Sequence, residues 1–201
     1  MRKLPSHLEN PIDNIFYYFV EKTADNIVKK KITPNQITTV GNVFGIIGLY
    51  LLYKKMYLSS ALFYALRYFF DCLDGYYART HNLVTIFGDY YDHYSDIIIF
   101  ISYLWVLFLN NQQLFIYALI IIAIVLILSC IHLYYQEIYY ENTEDSPTIN
   151  MIQKIIPSSM KPKNKKDLEQ KLKYSRFFGC GTLGLTMTII IVCYYFFDKN
   201  N

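Results

Sequence analysis

Four aspartates, Asp71, Asp74, Asp92 and Asp96, recur at helical spacing inside a stretch otherwise dominated by Phe, Tyr, Ile and Leu. A carboxylate at bilayer depth costs about 2.5–3.5 kcal/mol on the insertion scale, so four uncompensated ones would cancel the insertion energy of a helix pair. Something has to neutralise them. Several acidic oxygens converging without basic partners form the ligand set of a hard divalent cation, and the pattern predicts a metal site opening onto water at a membrane surface.

Composition supports the membrane setting. The chain has 201 residues, 54% hydrophobic and 17% charged, the balance of a multi-spanning membrane protein rather than a soluble domain. A formal net charge of +3, with lysines gathered in particular loops, argues against nucleic acid as a partner. Cys72, Cys130, Cys180 and Cys193 form no C-x-x-C pair, so neither zinc nor a disulfide framework is indicated, and buried bystanders are expected. The first twenty residues lack an apolar core followed by a small-residue cleavage site, and no removable signal peptide is expected.

Periodicity divides the chain into an all-α integral membrane fold of five to six transmembrane helices with an N-terminal amphipathic helix. From Pro11 to Lys31, Ile12, Ile15, Phe16, Phe19, Val20, Ala24, Ile27 and Val28 form an apolar stripe opposite Asp13, Glu21, Asp25 and Lys29. That is an interfacial helix rather than a span. Residues 1–34 are therefore expected to form a cytoplasmic, interfacial segment and residues 35–201 the transmembrane domain.

Thr33 and Pro34 supply a cap and a first-turn proline for span one, Ile37 to Tyr53, and Tyr57 to Ala78 forms span two. Thr85 caps span three, which runs to Leu109, and Leu114 to Tyr135 forms span four. Glu137 to Lys173 is polar and predicts a long loop with a short interfacial helix around Ile149 to Ile156, and Phe177 to Phe197 forms span five. His7, His81 and His132 have no partner spacing and are expected to be ordinary polar residues.

Basic residues orient these spans. Arg2, Lys3, Lys22, Lys29, Lys30 and Lys31 lie in the N-terminal segment and eight more lie from Lys154 to Arg176, against Lys54, Lys55 and Lys199 on the other side. Cytoplasmic loops hold the excess, so the N-terminus and the link between spans two and three, with its aspartates, are expected to be cytoplasmic.

Two antiparallel helices joined by that link bring Asp71 and Asp74 opposite Asp92 and Asp96. Gly75 and Gly88 remove side chains where a backbone must approach a ligand closely, and Ala78 extends the small surface by one turn. Arg79, at the water end, offers a fork of donors suited to phosphate oxygens.

The string Asp71-x2-Asp74-Gly75-x2-Ala78-Arg79-x8-Gly88-x3-Asp92-x3-Asp96 resembles the signature of CDP-alcohol phosphatidyltransferases, with all eight defining positions filled across 26 residues. Thr33-Pro34-Asn35-Gln36-Ile37-Thr38 is similar to that family's first-span entrance, which contacts the nucleotide-lipid donor and so includes Asn35 and Thr38. The resemblance implies that Asp71, Asp74 and Asp92 hold Mg²⁺ or Mn²⁺, with Asp96 completing a two-metal site and serving as general base. It implies that Gly75, Arg79 and Thr85 hold the CDP group, that the membrane supplies lipid substrate, and that the protein is a homodimer. The family commonly shows six spans, and this chain departs from it with five.

The activity so implied is transfer of a phosphate-linked group from a CDP-linked donor to an alcohol, with release of CMP. The donor is CDP-diacylglycerol with a small polar acceptor, or a CDP-amino-alcohol with diacylglycerol as acceptor. The scarcity of arginine near the core disfavours a phosphorylated acceptor, while Asp92-His93-x-x-Asp96 is similar to choline and ethanolamine phosphotransferases. Arg67, one turn before Asp71, either pairs with a neighbouring acid or binds an acceptor phosphate. Asp89 and His93 form an i,i+4 pair suited to a surface role. Competing classes are a cation carrier with intramembrane carboxylates, an intramembrane aspartyl protease and a catalytically dead scaffold.

Overall fold

Local capping chemistry sets most of the helix starts in the computed structural model, which describes residues 1–27, 32–140 and 156–200. Helix α1 (Pro11–Ile27) begins behind Asn10, whose Oδ1 accepts from Ile12 N at 2.9 Å. Helix α2 (Pro34–Tyr53) opens with a capping box between Thr33 and Gln36 and a proline in the first turn. After a turn in which Lys55 has φ 57°, α3 (Tyr57–Thr80) runs back without a side-chain cap. Thr85 Oγ1 caps α4 (Ile86–Asn110) through Gly88 N at 3.0 Å, and Asn111 Oδ1 caps α5 (Gln112–Tyr139) through Leu114 N at 2.8 Å. A single 3₁₀ turn at Ser158–Met160 then leads to α6 (Lys165–Ser175), capped by Asn164, and to α7 (Cys180–Asn200).

The protein is an all-helical membrane protein, with no strand among the described residues. Helices α2, α3, α4, α5 and α7 have 20, 24, 25, 28 and 21 residues, and about 20 suffice to cross the hydrocarbon core. Four stretches, Pro34–Tyr53, Ile86–Asn110, Gln112–Tyr139 and Lys165–Lys199, are long and apolar enough to span by composition alone. Helix α3 is the remaining long helix, and it carries Arg67, Asp71 and Asp74. Isoleucines 116, 120, 124 and 127 on α5 and Ile97, Ile98, Ile101 and Trp105 on α4 are exposed, as lipid-facing positions are.

Helix α3 is the hub, packed against α2, α7 and α1, while α2 also meets α4 and α5 meets α6 and α7. Close approach of α2 and α3 depends on Gly41, where a Cβ would lie 2.9 Å from Phe70 Cβ. Away from the aspartates, Leu52, Tyr57, Tyr103, Leu107, Ile122, Met187, Ile191 and Tyr194 close the core. Its two innermost tyrosines satisfy their hydroxyls on backbone carbonyls, Tyr103 on Gly45 at 3.2 Å and Tyr194 on Leu107 at 3.1 Å.

Several expectations are corrected. Asp13 is not on the outer face of α1: it is buried, accepting from the Tyr68 hydroxyl and from Gly181 N at 3.4 Å. The helix is rotated so that Val20 and Ala24 face α3 while Ile15 and Phe19 are exposed, because polar partners on α3 and α7 outweigh the simple apolar stripe. The expected loop after Glu137 contains α6, which buries only Leu168 and Leu172 at i,i+4 beneath a lysine-rich surface.

His132, expected to be an ordinary polar residue, is buried, with Nδ1 3.0 Å from Ser175 Oγ. Of the cysteines only Cys72 is buried, and Cys180 and Cys193 are exposed. The end of the expected amphipathic helix, Val28 to Lys31, and nearly all of the expected interfacial helix, Ile149 to Ile155, lie outside the described residues.

The docking of α1 carries a pH dependence. Burial, with the Asp13 charge adding to it, pushes the Glu9 carboxyl up to about 7, and burial pushes Asp13 up to about 6. The docked state therefore keeps protons that a released segment would give up, so stability is full below the ordinary carboxylate values and is lost as pH rises through about 6 and 7. Hydrogen–deuterium exchange in α1, corrected for the intrinsic rate, should accelerate from acidic to mildly alkaline buffer, and Glu9→Gln should flatten that trend.

Candidate metal and nucleotide site

Helices α3 and α4, joined by the link 81–85 and both packed against α2, bring the acids together. One carboxylate oxygen from each of Asp71, Asp92 and Asp96 lies within 4.8 Å of the others, and all three residues are half-buried. Asp92 Oδ1 is buried with no hydrogen-bond partner. Three converging carboxylates, one of them with a buried oxygen that lacks a partner, are the donor set of a hard cation, and these residues fit Mg²⁺ or Mn²⁺. Asp74 stands apart from this trio. It is only 4% exposed, and its Oδ2 accepts from Thr38 Oγ1 at 2.6 Å, which ties α3 to the first turns of α2.

The acids do not converge without a basic partner: of the two roles open to Arg67 in the sequence, pairing with a nearby acid is the one the structure shows. Arg67, 8% exposed, reaches from α3 to form an ion pair with Asp96 on α4. Its partner is therefore not Asp71, one turn away on the same helix, but an acid 29 positions on. The Arg67 stem fits because α2 has glycine at position 45, where a Cβ would lie 2.7 Å from Arg67 Cδ.

The remaining expected positions fall into two further groups. Gly88 allows the N-termini of α2 and α4 to close on one another: a Cβ there would lie 2.8 Å from Asn35 Oδ1 and 2.9 Å from Thr85 Oγ1. Asn35, Thr85 and Gly88 thus share one rim. At the end of α3, a Cβ on Gly75 would lie 3.0 Å from Arg79 Nη1, so the glycine makes room for that guanidinium to fold back along its own helix. Arg79 Nε donates to the Met1 carbonyl at 3.0 Å, and Ala78 is half-buried beside it.

Sequence reasoning missed a clasp between α2 and α4. The Tyr91 hydroxyl is 3.1 Å from Thr39 Oγ1 and accepts from Asn42 Nδ2 at 3.4 Å, right beside Asp92. The only signal for it was the polar pair Thr39 and Asn42 inside an otherwise apolar span. His93 is exposed, with Nδ1 3.0 Å from the Asp89 carbonyl, and takes no part in the carboxylate trio.

An all-helical membrane protein with an aspartate-lined hairpin is the class these observations define. The family is equally plain: the CDP-alcohol phosphatidyltransferase family model matches residues 31–161, and the chain belongs to that family. An archaetidylinositol phosphate synthase from Pyrococcus horikoshii is 30% identical over 77 residues, which is 38% of this chain and 41% of that protein. The chain therefore spans less than half the length of this curated relative. No solved structure matches.

The Arg67–Asp96 pair is open to a double-mutant cycle. Arg67→Leu strands Asp96 and Asp96→Asn strands a buried guanidinium, whereas the double variant removes both charges. Because Asp96 is partly exposed, the two single losses should exceed the loss in the double variant by about 1–2 kcal/mol, read from unfolding midpoints in detergent. Strict additivity would mean that the contact contributes nothing.

Proposed function

We propose that this protein transfers a phosphatidyl-type group from a CDP-linked lipid to the hydroxyl of a small polar alcohol, releasing CMP, and that it needs Mg²⁺ or Mn²⁺ to do so. The observation that carries the proposal is the convergence of Asp71, Asp92 and Asp96 at the mouth of the α3–α4 hairpin, in a chain of this family. With Asp74, tied to Thr38, standing behind them, Asp71, Asp92 and Asp96 would hold the metal. Once bound, it would offset the charge on the donor diphosphate and on CMP as it departs.

The chain's own groups have separate tasks. Arg67 holds one oxygen of Asp96, so the other is free to take the proton of the acceptor hydroxyl. As that proton leaves, the acceptor oxygen bonds to the β-phosphorus and the bond from that phosphorus to the CMP oxygen breaks. Arg79, at the end of α3, presents its fork to the phosphates once its contact with the Met1 carbonyl opens. Thr85, Gly75, Ala78, Gly88, Asn35 and Thr38 shape the donor cleft along the rims of α2, α3 and α4. The basic N-terminal segment and the basic stretch before α7 support a cytoplasmic position for this rim, and the family resemblance supports a homodimer.

A relative whose name makes archaetidylinositol phosphate its product supports a CDP-lipid donor. Diacylglycerol as acceptor loses its main sequence support, because His93 is engaged with Asp89 on the exposed side of α4. A cation carrier is disfavoured by acids that sit beside a helix link rather than at mid-membrane between repeats.

Detergent-purified protein should release CMP from labelled CDP-diacylglycerol only with a divalent cation and an alcohol acceptor, and far less from CDP-choline or CDP-ethanolamine with diacylglycerol. Chelation should stop the reaction. Asp96→Asn, assayed on protein whose melting shows it folded, should lower turnover by about 10²–10⁴-fold. Folded protein that releases no CMP from any donor with either metal would sink the proposal.

A further inference from the structure

Arg67 is a buried charge that acts in the proposed chemistry only through Asp96 and touches no substrate there. Positions 67, 71 and 74 run along α3 toward the link, and positions 96 and 92 run along α4 toward the same end. The Arg67–Asp96 pair is therefore the end of the acidic cluster farthest from the link, and Asp74 and Asp92 are the end nearest it. Arginine keeps its charge at any accessible pH, so the far end always holds a fixed cation.

The Arg67 side chain is buried between α2 and α4. Its stem lies directly on the α2 backbone: a Cβ at Gly45 would be 2.7 Å from Arg67 Cδ, 3.2 Å from its Nε and 3.0 Å from Ile99 Cδ1 on α4. Arg67 Nε is buried without a hydrogen-bond partner, which marks a side chain held by its slot rather than by a full set of acceptors. Releasing the group from Asp96 would leave a buried charge without its ion-pair partner.

We propose that Arg67 is a resident counter-cation, taking the place beside Asp96 that a second divalent ion would otherwise hold, so that the cluster binds one metal ion per chain. The inference rests on the metal-dependent reading of the site given above. It departs from the two-metal site that the family resemblance implies, and it does so on two observed positions: Arg67, one turn before Asp71, and Gly45, which faces its stem. Arg67 thereby acts as a positioning residue, fixing one Asp96 oxygen and leaving the other available.

The test uses the full chain in detergent and Mn²⁺ alone as probe, with bound metal counted by mass spectrometry after gel filtration and followed by electron paramagnetic resonance. The wild type should bind one Mn²⁺ per chain with an uncoupled spectrum. Arg67→Gln should bind two, with the broadening of spin-coupled neighbours, and Arg67→Lys should stay at one. Two ions in the wild type, or one in folded Arg67→Gln, would overturn the assignment while leaving metal-dependent CMP release intact. No bound Mn²⁺ in folded wild type would overturn both this assignment and the metal reading beneath it. Should Arg67→Gln fail to fold, the wild-type count decides the matter, since a second ion there is incompatible with Arg67 filling its place.

Discussion

Keeping the charges of α3 away from lipid is the constraint on which the rest of the molecule depends. Arg67, Asp71 and Asp74 lie on a helix packed among apolar helices of membrane-spanning length, in surroundings hostile to each of them. The structure answers with neighbours rather than with depth. Helix α2 closes on α3 through Gly41 and Gly45, brings the Thr38 hydroxyl to Asp74, and leaves a slot for the Arg67 stem. Helix α4 brings Asp96 to Arg67 and sets Asp92 beside Asp71. The same contacts that make α3 tolerable in the membrane assemble the carboxylate trio, so stability and site geometry are not separable here.

A second polar lock holds the far side of α3. Asn10 caps α1 with its Oδ1 and donates through Nδ2 to the Arg176 carbonyl at 2.7 Å and to Thr182 Oγ1 at 2.8 Å, joining α1 to the start of α7. Asp13 continues the lock to Tyr68 on α3 and to the first turn of α7. A Cβ at Gly181 would collide with the Asp13 carboxylate, so the glycine is what lets the two elements meet. The N-terminal helix is thus a docked part of the bundle, held to α3 through Tyr68.

Much of this was legible in the chain itself. The helix starts at Thr33-Pro34 and Thr85 follow from cap chemistry that acts within four residues, and the spans follow from apolar length. The spacing of the eight signature positions identified the hairpin and its acids. Other features could not be read because their causes are distant. Asp13 looks like a solvated residue until Tyr68 and Gly181 surround it, and α6 offers only Leu168 and Leu172 as apolar evidence among lysines. Arg67 beside Asp71 invited a local i,i+4 pairing, yet its acid comes from the next helix.

What the sequence determined by itself, then, is the set of elements and the chemistry of their side chains: membrane-length helices, their caps, and acids repeating at helical spacing. These rest on interactions within a turn or two of backbone and on transfer from water, which depend on residue type alone. Which oxygen faces which cation was decided only by tertiary packing. Arg67 meets Asp96, Thr38 meets Asp74 and Asp92 is left without a partner because glycines on α2 set how closely three helices approach, and that distance is a property of the bundle rather than of any single segment.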